Sequence, residues 1–142
     1  MSLVEVLAAL ALAGVVAGTS LLGYSRMLSQ WRLNAAARQV VMDLKAARVR
    51  AIMENVGQRL HFPTPGRHYQ RQRDDGAHRY ADDGPPTALP DTIQAVACTA
   101  NGASITFQPR GHASTFGTIT LRNAEGAERH VVVDIAARLR VQ

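Results

Sequence analysis

The chain has 142 residues, room for one compact domain and one long extra element, which excludes two full domains. Hydrophobic residues make up 46% of it, but they crowd into the stretch from Met1 to Leu22, and the remainder is polar and rich in arginine. The net charge of +5 is equally local: Arg26 to Arg59 holds seven basic residues against Asp43 and Glu54, as a solvated helix face or a polyanion site would. The one cysteine, Cys98, excludes an intrachain disulfide and a cysteine-rich metal site.

Between Met1 and Ser25 the only charged side chain is Glu5, no proline occurs, and helix formers dominate. At about 1.5 Å per residue the run to Leu22 reaches roughly 33 Å, enough for a bilayer's hydrocarbon core of about 30 Å. A cleavable secretory signal would need a basic region ahead of a shorter apolar run, and a soluble core helix is rarely apolar on every face. The segment reads as a transmembrane helix spanning residues 1–23.

An acid inside such a span costs about 2 to 3 kcal/mol at the centre and less near an end, so Glu5 calls for a partner. No base inside the helix can pair with it. The amine of its own chain lies a helical turn away, whereas the N-terminal amine of a neighbouring copy displaced along a helix bundle can reach it, gaining about 4 kcal/mol at an effective dielectric of about 20. Gly14 and Gly18 form a small-xxx-small pair that lets helix backbones approach closely in an apolar medium. With Gly23, they also mark where the helix can bend.

Met1-Ser2-Leu3-Val4-Glu5-Val6-Leu7 resembles the start of a mature type IV pilin or type II secretion pseudopilin, with Met1 in place of the usual Phe and Glu at the fifth position. The resemblance implies that a prepilin peptidase has removed a cationic leader, leaving Met1 as the mature terminus and a candidate for N-methylation. It further implies assembly with identical or related pilin subunits, inner-membrane assembly machinery, and a single-pass inner-membrane protein with a periplasmic C-terminal domain. Arg26, Arg32 and Arg38 follow the span closely, and on this chain alone the positive-inside rule places that domain in the cytoplasm. The leader would have to carry the opposing charge.

After Gly23 no proline interrupts the chain until Pro63. Leu33, Ala37, Val40, Val41, Leu44, Ala47 and Ala51 fall within about a 120° arc of a helix, with Arg32, Asp43, Arg50 and Glu54 outside it. An amphipathic half over residues 24–56 therefore continues the span, ending at Asn55-Val56-Gly57 with Gly57 as the C-terminal cap. In the domain from residue 57 to 142, β-rich or alternating segments follow at Arg59–Phe62, His68–Arg71, Thr92–Val96, Ala103–Phe107, Thr118–Leu121, Arg129–Val133 and Arg138–Val141. Turns separate them at Pro63–Gly66, Asp82–Pro86, Asn101-Gly102, Pro109–Gly111 and Glu125-Gly126, and the polar stretch from Arg71 to Pro90 reads as a surface excursion. The fold class is α+β, a long helix packed against a C-terminal antiparallel sheet.

Asn34–Arg38, Asp43-Leu44, Ala47-Arg48, Ala51-Ile52 and the run Ile105–Gly111 are similar to the helix pattern and the central strand and turn of the GspH/FimT-type minor pseudopilins. That resemblance implies the type IV pilin fold and a structural subunit of a type IV pilus or a type II secretion pseudopilus.

Enzyme chemistry is disfavoured, because no phosphate loop, nucleophile elbow or Cys-His pairing occurs. His61, His68, His78, His112 and His130 form no metal-binding spacing, and Asp74-Asp75 and Asp82-Asp83 lack a calcium-loop pattern, so no metal or cofactor is expected. The alternative function is DNA binding in a competence pilus. Arg138-Leu139-Arg140 is similar in position to the Gly-Arg-x-Arg motif of pseudopilins that act as DNA receptors, with Ala137 replacing the Gly. Two arginines one apart on a strand point to the same side, and Arg110 and Arg129 are candidates to widen the patch. The competing reading is an edge strand that uses arginine against aggregation.

Overall fold

The computed structural model describes residues 2–77 and 79–142, the side chains of residues 19–22 excepted; Met1 and His78 lie outside them. Helix α1 runs without interruption over Leu3–Glu54, about 78 Å at 1.5 Å per residue. It starts at Ser2, whose extended backbone (φ −86, ψ 152) lets its hydroxyl accept the N–H of Glu5 at 3.4 Å, satisfying one of the orphan donors of the first turn. The helix passes Gly14, Gly18 and Gly23 without a break.

The C-terminal cap differs from the expected one. Asn55, not Gly57, takes the left-handed conformation (φ 52, ψ 37), and its N–H bonds back to Ala51. Asparagine tolerates that region through its short polar side chain. Gly57 instead sits where space is tight: a Cβ there would lie 3.1 Å from the Tyr80 hydroxyl and 3.4 Å from Asp74 Cβ.

Among the described residues ten strands follow, all antiparallel, in two sheets rather than the single sheet expected. In the first, β1 (Gln58–His61) lies between β2 (His68–Asp74) and β6 (Ser104–Phe107); β3 (Tyr80–Asp82) and β4 (Thr87–Ala88) pair with β2, and β7 (Ala113–Thr115) pairs with β6. The second has the order β10 (Leu139–Val141), β9 (Glu128–Val133), β8 (Gly117–Asn123), β5 (Ile93–Cys98). The two meet at backbone hydrogen bonds between Gly66 and Ala95 and from Ala113 N–H to the Ile135 carbonyl. The stretch from Arg71 to Pro90 is thus not wholly a surface excursion, since β2 extends into it and β3 and β4 arise from it.

The core lies between the sheets and one face of the second half of α1. Leu33, Ala36, Ala37, Val40, Leu44, Ala47 and Ala51 are buried there against Leu60, Phe62, Tyr69, Ile105 and Phe107 of the first sheet's side and Ile93, Ile119, Leu121, Val131 and Val133 of the second. Four of the seven helix residues are alanines, which lets strands of both sheets approach the helix. Each larger aliphatic side chain contributes about 1.5 to 3 kcal/mol by burial. Phe62 and Tyr69 stack at 5.2 Å between ring centroids.

Candidate assembly surface

The N-terminal half of α1 stands clear of the domain. Every described side chain from Ser2 to Gly18 is exposed, with Leu3 at 80% and Leu12 at 69%. The helix is long and apolar enough here to cross a membrane. Glu5 sits in the first turn, where the positive end of the helix dipole favours an anion by about 0.3 to 1 kcal/mol. Among the described residues its carboxylate has no hydrogen-bond or ion-pair partner. A Cβ added at Gly14, Gly18 or Gly23 would meet nothing within 4 Å. Among the described residues their small size serves no packing, which leaves it free to serve another helix.

The second half of α1 has an apolar face that the sequence reading did not single out. Opposite the buried face, at intervals of three and four residues from Tyr24, exposed apolar side chains recur, among them Trp31 at 67%, Met42 at 65% and Val49 at 51%. The heptad spacing was the available signal. The more regular face, from Leu33 to Ala51, is enough by itself to account for the helix and so masks that signal.

Side chains pin the domain to the helix along its length. Asn123 donates to the Ser29 hydroxyl at 2.9 Å, and Arg129 Nε donates to Asn34 Oδ1 at 2.8 Å. Tyr69 donates its hydroxyl to the Asp43 carboxylate. Burial, followed by the hydrogen bond and charge of Asp43, pushes the Tyr69 phenol well above its ordinary value of 10.0, with Gln39 opposing. Farther along, Arg48 donates through Nε to the Gly111 carbonyl at 2.8 Å and through Nη1 to the Ala137 carbonyl at 3.4 Å.

Arg48 thereby brings together the turns carrying Arg110 and Arg138, with Arg140 following on β10; all three arginines are exposed. Arg129 does not join them. It lies opposite Leu121 in the register of β8 and β9, on the helix-facing side with Val131 and Val133, and its guanidinium is spent on Asn34. Ala137, at the position of the Gly in the resembling motif, takes φ 57, the left-handed region that glycine favours. The Asp134 carboxylate accepts the Arg138 N–H at 2.9 Å and closes the turn.

Two of the histidines hydrogen-bond neighbouring hydroxyls, His61 to Ser104 at 2.9 Å and His130 to Thr120 at 3.1 Å. His68 and His112 are exposed. Among the described residues no three His, Cys, Asp or Glu side chains converge.

Residues 36–137 match the family model of the type II transport protein GspH. The fold matches two solved structures of the minor pseudopilin EpsH from the type 2 secretion system of Vibrio cholerae, with TM-scores of 0.63 and 0.66 at 11% identity, covering 78% and 80% of this chain and 96% and 94% of those. It also matches the type IV minor pilin FimU of Pseudomonas aeruginosa, with a TM-score of 0.59 at 16% identity over 78% of this chain and 92% of that one. No curated protein is significantly similar in sequence.

Proposed function

The chain belongs to the GspH family of type II transport proteins, and from that premise we propose that it is a filament subunit that docks through its N-terminal helix. The observation that carries this reading is the exposed apolar half-helix with one acid, Glu5, in its first turn and no partner for that acid among the described residues. The helix first resides in the inner membrane with the β domain in the periplasm. After prepilin peptidase has freed the Met1 amine, the assembly machinery extracts the subunit, and its helix packs among those of related subunits. Glu5 then pairs with a neighbour's terminal amine, an interaction of about 4 kcal/mol at an effective dielectric of about 20. Gly14 and Gly18 supply the close approach.

The test is Glu5→Ala, which leaves the helix able to form. The expected result is normal membrane insertion with loss of incorporation into filaments; incorporation at the wild-type level removes the proposed role. The alternative of DNA binding loses one arginine of its candidate patch, because the Arg129 guanidinium is committed to Asn34 of the helix.

A further inference from the structure

Helix α1 is apolar on two opposite faces of its second half, and only one is covered. On the open face Leu28, Trp31, Ala35, Met42, Val49 and Ile52 follow the alternating three-and-four spacing of a coiled-coil seam. The two slots that would complete the repeat hold Arg38 and Lys45, both exposed. Among the described residues neither has an ion-pair partner. The acids on this half of the helix are engaged within the chain: Asp43 accepts the Tyr69 hydroxyl, and Glu54 accepts from Gln58 and faces Arg73.

We propose that this seam binds the helix of a different subunit, one that presents carboxylates a heptad apart opposite Arg38 and Lys45, and that it rejects a second copy of this chain. The inference rests on the filament reading above and specifies the neighbour. A shared bilayer makes the helices parallel. In register, two copies would set Arg38 against Arg38 and Lys45 against Lys45. A shift of one heptad sets Lys45 against Arg38. A shift of two heptads, about 21 Å, lays Arg38 against Ile52 and Lys45 against Trp31, so both cations lose water without gaining a counter-charge. Carboxylates at the facing positions turn the same two slots from a penalty into a selective contact, and charged pairs beside an apolar seam are how coiled coils choose partners.

The test uses the full chain in detergent micelles, with Cys98→Ser and Met42→Cys so that the only thiol lies at the centre of the seam. A second version carries Arg38→Glu and Lys45→Glu in addition, and a tag that changes its size. Each version alone should give little disulfide-linked dimer, and the mixture about tenfold more heterodimer, a gain that shrinks as salt is raised. Arg38, Met42 and Lys45 are exposed and the half-buried Cys98 is replaced by Ser in both versions alike, so the two versions should melt together, which a circular dichroism scan checks. Homodimer of the unreversed version at the level of the mixture, or no gain on mixing, overturns the proposal. Neither result touches the filament reading, whose readout is the dependence of incorporation on Glu5.

Discussion

Loss of the Arg48 side chain should loosen both sheets from the helix. Its guanidinium reaches the Gly111 carbonyl at 2.8 Å and the Ala137 carbonyl at 3.4 Å, next to the Ala113–Ile135 hydrogen bond that joins the two sheets. Hydrogen bonds to a charged group contribute about 1.5 to 3 kcal/mol each, but Arg48 is only half-buried and its second contact is long. Together they should contribute about 2 kcal/mol. Arg48→Met keeps the aliphatic stem packed and removes both bonds, so urea denaturation of the full chain in a non-ionic micelle, followed by circular dichroism, should show the midpoint falling by about 1 M or more. Arg48→Lys, which can reach one carbonyl but lacks the planar fork, should lose about half as much. A midpoint for Arg48→Met indistinguishable from wild type would refute the clamp.

Gly14→Leu should leave the melting of the β domain unchanged and favour the helix by up to about 1 kcal/mol, since nothing among the described residues lies within 4 Å of a Cβ at Gly14, while the fraction recovered in filaments drops. The raised phenol of Tyr69 makes its contribution to stability complete below about pH 10 and lost as the pH rises further. Denaturation midpoints should therefore fall above that pH in the wild type and more gently in Tyr69→Phe. Ala137→Val places a β-branched residue at φ 57 and should cost about 2 kcal/mol, whereas Ala137→Gly, which trades a buried methyl for relief of the left-handed backbone, should change thermal stability by less than about 1 kcal/mol.

The long helix and its covered face were legible because they are periodic properties of contiguous residues: Leu33, Val40, Leu44 and Ala51 recur on one side whatever the rest of the chain does. The cap was half legible. Both Asn55 and Gly57 can take a left-handed backbone, and composition alone does not say which of them closes the helix; Tyr80 and Asp74, which crowd the place of a Gly57 side chain, come from distant sequence. The division into two sheets was not legible, because β-rich composition marks a strand without naming its partner. β3, β4 and β7 are two or three residues long, and pairing with β2 and β6, rather than their own composition, makes them strands. Arg129 shows the same limit at a single residue: an arginine on a strand reads as exposed, and only the register with Leu121 turns it toward Asn34.

The side-chain pins between helix and domain sit at Ser29, Asn34, Asp43 and Arg48, spread over about 28 Å of an unbroken rod. A tug along the rod axis, of the kind the proposed filament role would impose, loads all of them in shear at once. Peeling one sheet edge outward would instead break them one after another. The molecule is therefore mechanically anisotropic, stiffest along the line in which a fibre bears tension.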